Sequence, residues 1–325
     1  MARAKVVEFL TGRKIEAELV ERMLVKCPAL ESAWDEERAQ ANWSYLETRL
    51  GVAKRKIPAV VARCPQLLLV SIWGRLELMV ISLEGVGAER KHLATMVTSF
   101  PHTLLHSVEE KLCPLLACLQ DAGIKEQQLA KVLTQCPRLL SYSIDQKLKP
   151  TITFFQSLGL TKTDMGRMLT ICPNILGYNL DNRLRPSVEY LKSIGILDTE
   201  LRKLLTFFPN ILIRKAEVSF KPILEHLHEV GFTSEQVTSI VAKYPPVLTR
   251  SIQNSVQPKL DFLVETMGRH LEEVVEFPAF FGCSLRKTIA PRHRRLGDQA
   301  SACSLVSMLA CSGAKFNERF GLGWA

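Results

Sequence analysis

One phrase recurs along the chain, as CPQLLL, FPHTLL, CPRLLS, CPNILG, FPNILI, YPPVLT and FPAFFG. Its proline keeps a period: Pro65, Pro101, Pro137, Pro173, Pro209 and Pro245 stand 36 residues apart, with Pro28 37 before the first and Pro278 33 after the last. No other feature constrains the fold as much. A unit of this length cannot bury an apolar face alone, so successive repeats must stack, and the chain reads as one tandem array of about eight repeats. Other positions keep phase with this marker proline. Thirteen residues after it stands a second proline at Pro114, Pro150, Pro186, Pro222, Pro258 and Pro291, and 22 after it a glycine at Gly87, Gly123, Gly159, Gly195 and Gly231. Apolar residues hold positions 18 (Leu83, Leu119, Phe155, Leu191, Leu227, Leu263) and 28 (Leu93, Leu129, Met165, Leu201, Val237).

Each repeat reads as helical. Ser143 with Gln146, and Ser107 with Glu110, fit a capping box that opens a first helix. Ile152, Phe155 and Leu158 give its apolar stripe, and Gly159 sits where a left-handed C-terminal cap is wanted. Thr233 with Gln236 opens a second helix, which the next marker proline ends. The PxLL phrase after that proline predicts one tight turn of helix. Pro150 falls at the seventh helical position counted from the cap, which predicts a kink. The expected fold class is therefore all-α, a helical-repeat solenoid or superhelix whose repeats hold two helices plus a short third turn, with an inner face available for binding. The expected divisions are a helical segment or partial repeat over residues 1–27, the array over 28–295 and a tail over 296–325. Pro28, with Glu31 where a leucine is usual, marks an atypical first repeat.

Composition narrows the function classes. At 47% hydrophobic and 23% charged, the 325 residues can support a large core. No membrane span is expected, because the most apolar stretch, residues 67–86, is broken by Arg75, Glu77 and Glu84. No phosphate loop, dinucleotide glycine motif, HExxH or nucleophile elbow occurs, so neither catalysis nor a cofactor is expected. Cys27, Cys64, Cys136 and Cys172 share the position before the marker proline with Phe100, Phe208, Tyr244 and Phe277. Aromatics cannot replace metal ligands, so these thiols read as core and no metal site is expected. Cys113 and Cys118 form no ligand pattern, and His226 and His228, two apart on a helix, face different sides. Scattered cysteines in a chain this long favour a reducing compartment.

The positive charge is uneven. Residues 137–295 hold 22 Lys plus Arg against 15 Asp plus Glu, whereas residues 1–136 hold 18 against 16. Arg75, Lys111, Lys147 and Arg183 stand ten residues after the marker, and Lys149, Arg185 and Lys221 twelve after it. Arg214, Lys215 and Arg250 lie in the turn before the first helix, and Arg286, Lys287, Arg292, His293, Arg294 and Arg295 cluster near the last repeat. Cations early in a helix oppose its dipole, so helix stability does not explain them. Repetition along a solenoid makes a stripe, and regularly spaced phosphates are its physical match. The candidate nucleic-acid-binding residues are thus Lys111, Lys147, Lys149, Arg183, Arg185, Arg214, Lys215, Lys221, Arg250, Arg292 and Arg294. Tyr142 and Tyr178 could stack on bases, although core packing is the commoner role for such residues. The rival reading is a protein-interaction solenoid that meets an acidic partner.

The array resembles the mitochondrial transcription termination factor (mTERF) family. The carriers are CPRLL and CPNIL, the KLKP and RLRP phrases leading to Pro150 and Pro186, SLGL and SIGI at 157–160 and 193–196, and FFGCSLRKTIAPRHRRL. CSLVSMLACSGAKFNERF, residues 303–320, is similar to the tail of plant members. The resemblance covers about residues 20–320. It implies a left-handed superhelix with a basic concave path, nucleic acid (DNA or RNA) as partner, and a role in organellar transcription or RNA processing such as splicing. It also implies a monomer, other organellar proteins as possible partners, and the chloroplast as location with the mitochondrion as alternative. Residues 1–50 hold nine acidic residues, so no transit peptide is expected within this chain.

Overall fold

The computed structural model describes residues 2–321, and no strand occurs among them. Two compact units divide the chain, Met1–Gly177 and Tyr178–Ala325, and each is built from the same helical repeat. The sequence period runs through the boundary unchanged, since Pro173 and Pro209 keep the 36-residue interval.

The repeat that opens at Pro137 shows how the residues write the structure. Its proline starts a 3₁₀ turn, Pro137–Ser141, that buries Leu139 and Leu140. The Ser143 hydroxyl accepts the Gln146 N–H at 3.2 Å and caps the next turn. That turn is a wide π turn over Ile144–Leu148, which leads into the α-helix Lys149–Ser157, and Gly159 closes the helix at φ +84°, a conformation that strains L side chains. Thr161 and Asp164 then form a reciprocal capping box, with bonds of 3.0 and 3.2 Å, for the second helix, Lys162–Ile171. That helix ends at Cys172, before the next marker proline. The phased apolar positions are the core: Leu83, Leu119, Phe155, Leu191, Leu227 and Leu263 are buried, as are Leu93, Leu129, Met165, Leu201 and Val237.

Where a proline kink was expected, the structure has a change in hydrogen-bond register. In the π turn the Leu148 N–H reaches the Ser143 carbonyl at 3.2 Å, five residues back, so the α-helix proper starts at Lys149 and Pro150 is its second residue, where a missing N–H costs little. The proline is not what tracks the wide turn. The repeat at Pro65 keeps it, over Ile72–Leu76, with Leu78 in place of proline, while the repeat at Pro209 keeps Pro222 but forms an ordinary helical turn, Ala216–Ser219. What tracks it is the capping side chain six residues after the marker. Ser71, Ser107, Ser143, Asn179, Ser251 and Ser284 each accept a backbone N–H there, and Lys215, in the Pro209 repeat, cannot.

Stacking between repeats uses the second helices. In the first compact unit Glu126–Gln135 packs on Lys162–Ile171, and Gly123 and Gly166 bring the two backbones together so closely that a Cβ on either would lie 2.0 Å from a carbonyl oxygen. In the second, Asp198–Phe207 packs on Ser234–Lys243, and the Thr238 hydroxyl donates to the Ile194 carbonyl at 2.6 Å. The helices at both ends of the described residues are tied down. Helices Ala2–Thr11 and Ala17–Lys26 precede Pro28, and Glu31 accepts from Arg3 Nη1 at 3.2 Å, which accounts for a carboxylate in the usual leucine position. The C-terminal helices Leu305–Leu309 and Gly313–Arg319 are held by arginines. Arg292 donates to the carbonyls of Met308 and Cys311 at 2.8 Å, Arg295 to Asn317 Oδ1 at 2.8 Å, and buried Arg269 to the carbonyls of Ala300 and Cys303.

Candidate nucleic-acid interface

The phased cations divide into two sets. Those twelve residues after the marker share a helix face with carboxylates four residues away: Lys149 Nζ lies 2.7 Å from Asp145, Arg185 Nε 3.4 Å from Asp181 and Lys221 Nζ 3.7 Å from Glu225. The set ten residues after the marker, only two positions back, faces another way. Arg183 donates from Nη1 to the Ile213 carbonyl at 3.0 Å, and its guanidinium lies 5.8 Å from the centroid of the Tyr178 ring. Lys147 with Lys149, and Arg183 with Arg185, therefore belong to different faces, where the sequence alone placed them in a single stripe.

In the second compact unit the cations of one set converge with those of the turns. A cleft of about 200 Å³ is lined by Asn182, Arg183, Ser187, Tyr190, Lys215 and Glu217. The next, of about 440 Å³, is lined by Arg214, Ser219, Thr249, Arg250, Ser251 and Gln253, together with apolar Val218, Pro222, Ile223, Leu248 and Ile252. Each cleft has the first helix of one repeat as one wall and the turn that opens the next repeat as the other. Each thus collects basic side chains from two repeats: Arg183 with Lys215, then Arg214 with Arg250. Ser187 ties the walls by donating to the Arg214 carbonyl at 3.3 Å. A guanidinium pair among hydroxyls and an amide, at a site open to solvent, is a setting for a phosphate-bearing chain.

The first compact unit carries the same register in weaker form. Lys111 is exposed and Lys147 half-buried. His106, whose Nε2 lies 3.2 Å from Ser141 Oγ, is held below the ordinary imidazole pKa, first by burial and then by the charges of Lys111, His102 and Arg75. The cations ten residues after successive markers, Arg75 and Lys111, thus act on one group. Near the last repeat, Arg294 is exposed, whereas Arg292 is half-buried and turned onto the C-terminal helices, with its guanidinium 4.7 Å from the Phe316 ring centroid. Tyr142 and Tyr178 are half-buried; the former lies beside Gly177 and the latter beneath Arg183. Cys27, Cys64, Cys136 and Cys172 are buried. His228 Nδ1 lies 3.1 Å from the Phe232 carbonyl, and His226 Nδ1 lies 3.9 Å from Glu229. Sequence reasoning gave no ligand role to Thr249, Ser251, Gln253 or Tyr244, because Ser251 and Tyr244 keep phase with a helix cap and a core position, and Thr249 and Gln253 reach the cleft only through stacking of repeats. The carboxylates opposite Lys149 and Arg185 were visible as a spacing of four.

A family profile described as mTERF matches residues 2–120 and 102–317. The chain is 53% identical over 53 residues to transcription termination factor MTERF4, chloroplastic, of Oryza sativa subsp. japonica, a stretch that covers 16% of this chain and 10% of that protein. It is 40% identical over 84 residues to transcription termination factor MTERF6, chloroplastic/mitochondrial, of Arabidopsis thaliana, covering 26% of this chain and 25% of that protein. The matched segments thus span a quarter or less of these relatives. The profile, in contrast, runs through both compact units and every marker proline, and the chain belongs to the mTERF family.

Proposed function

We propose that this chain is a non-enzymatic nucleic-acid-binding protein that regulates organellar gene expression, either at transcription, including its termination, or in RNA processing such as intron splicing. The observation that carries this reading is the placement of Arg183 with Lys215, and of Arg214 with Arg250, in two successive clefts that each draw cations from two repeats. A ligand with regularly spaced phosphates matches such a series, and the release of its condensed counterions supplies affinity without reading sequence. Family membership and the relatives' names support an organellar site of action, the chloroplast ahead of the mitochondrion. The protein acts as a monomer in this reading, needs no cofactor, and leaves its outer helix faces for organellar protein partners.

The cleft cations contribute most of the affinity, and the cations paired with Asp145 and Asp181 little, because a carboxylate already offsets their charge. Fluorescence anisotropy of the full chain on labelled duplex DNA and single-stranded RNA of random sequence tests this division. Alanine at Arg183, Arg214, Lys215 and Arg250 together weakens binding by about tenfold or more across sequences, while alanine at Lys149 and Arg185 changes it by less than about threefold. Equal losses from the two sets, or none from the cleft set, would overturn the assignment. Crosslinking and sequencing of nucleic acid bound in isolated organelles then identifies DNA or RNA as the target.

A further inference from the structure

The basic side chains of the two faces differ in what orients them. Lys149 and Arg185 rest on carboxylates. Arg250, at the cleft, donates from Nη2 to the Tyr244 hydroxyl at 2.9 Å. A phenol fixes a guanidinium without cancelling its charge, so the cation stays available to an anionic ligand while much of its rotamer freedom is already removed. Tyr244 is itself held from the other side. It stands at the end of helix Ser234–Lys243, directly before Pro245, and its phenol lies against Gly282 in the turn that opens at Pro278, where a Cβ would come within 2.5 Å of the hydroxyl oxygen and 3.0 Å of Cζ. Only a residue without a side chain leaves room for the ring. The adjoining Phe281 carbonyl accepts from the Nζ of buried Lys259 at 2.7 Å, which pins the turn that seats the phenol.

The same seat occurs in the first compact unit. Gly177 and Gly282 both stand four residues after a marker proline, and a Cβ on Gly177 would lie 2.6 Å from the Tyr142 hydroxyl oxygen. The glycine four residues after a marker proline thus seats a phenol twice, although Tyr142 stands five residues after its own marker and Tyr244 one before. At Tyr178 the ring face takes over the role, beneath Arg183.

We propose that Tyr244 is a positioning residue of the nucleic-acid interface, seated by Gly282 and preorganising Arg250 to receive a phosphate of the bound strand. This rests on the nucleic-acid reading above and adds to it a residue that does not touch the ligand.

The test uses the full chain and whichever labelled random-sequence ligand, duplex DNA or single-stranded RNA, the unaltered protein binds more tightly, titrated over a range of salt. Arg250→Ala weakens binding and lowers the magnitude of the salt slope by about 0.7 to 0.9, the value of one phosphate contact. Tyr244→Phe keeps the ring but loses the acceptor, and weakens binding about three- to tenfold with the salt slope unchanged, because the phosphate contact persists but must be ordered on binding. In the Arg250→Ala background Tyr244→Phe has no further effect. Gly282→Ala moves the phenol and matches Tyr244→Phe in direction. Tyr244→Phe binding as tightly as the unaltered chain, or costing the same with and without Arg250, would overturn the positioning role and leave the ring as packing alone. Loss of Arg250 without effect on affinity would instead strike at the interface reading itself.

Discussion

Cys27, Cys64, Cys136 and Cys172 occupy the position before the marker proline, and burial governs their chemistry. Desolvation penalises the thiolate, pushing Cys64 up to about 12 and Cys172 to about 11, and raising Cys136 as well. A thiol in that range is almost wholly protonated at neutral pH and serves as a small apolar group. Cys113 is exposed, so its sulfur is open to a reagent from solvent. With iodoacetamide at pH 8, mass spectrometry finds Cys113 alkylated first and the four marker thiols alkylated only when the chain is unfolded; labelling of Cys64 as fast as that of Cys113 would contradict the core assignment. This role was legible in the sequence because phenylalanine and tyrosine replace cysteine at the same phase, and no ligand could be exchanged so. The tyrosines were less legible. Nothing in the spacing of Tyr244 and Arg250 distinguishes a phenol that stacks on a base from one that holds a guanidinium, since the contact depends on how a turn and a helix end meet.

At the scale of the element, local chemistry predicted the helix boundaries well. Ser143, Thr161, Thr233 and the left-handed glycines act within a few residues of themselves, so their caps can be read without knowing the fold. The wide turn was hidden for the opposite reason. Proline suggested a kinked regular helix, whereas the turn tracks the capping residue, as comparison of the Pro65 and Pro209 repeats makes plain. Close approach of elements is likewise invisible in one repeat read alone. Gly166 lies inside the helix Lys162–Ile171, where alanine should add about 1 kcal/mol of helix stability by propensity. Its Cβ would, however, stand 2.0 Å from the Gly123 carbonyl oxygen, a backbone atom that cannot swing aside. Gly166→Ala should therefore destabilise the chain by about 1–3 kcal/mol in urea unfolding. A midpoint that rises would show that the two backbones do not approach as closely as described.

For the molecule as a whole, the period set the architecture and the charge set the function class. A repeat that keeps its 36-residue phase from Pro65 to Pro245 leaves stacking as the one way to bury Phe155, Leu191 and their equivalents. The excess charge is concentrated in residues 137–295. Its division between clefts and paired faces could not be read from the chain, because Arg183 comes to line one cleft with Lys215, and Arg214 another with Arg250, only when neighbouring repeats stack. The central claim is that these clefts neutralise phosphates. It is tested most directly by the salt dependence of affinity for duplex DNA. With about six phosphates neutralised, the logarithm of the association constant falls against the logarithm of salt concentration with a slope of about −5, and alanine at Arg183, Arg214, Lys215 and Arg250 makes that slope markedly shallower. Affinity that does not change with salt, or a slope untouched by those four substitutions, would contradict the account.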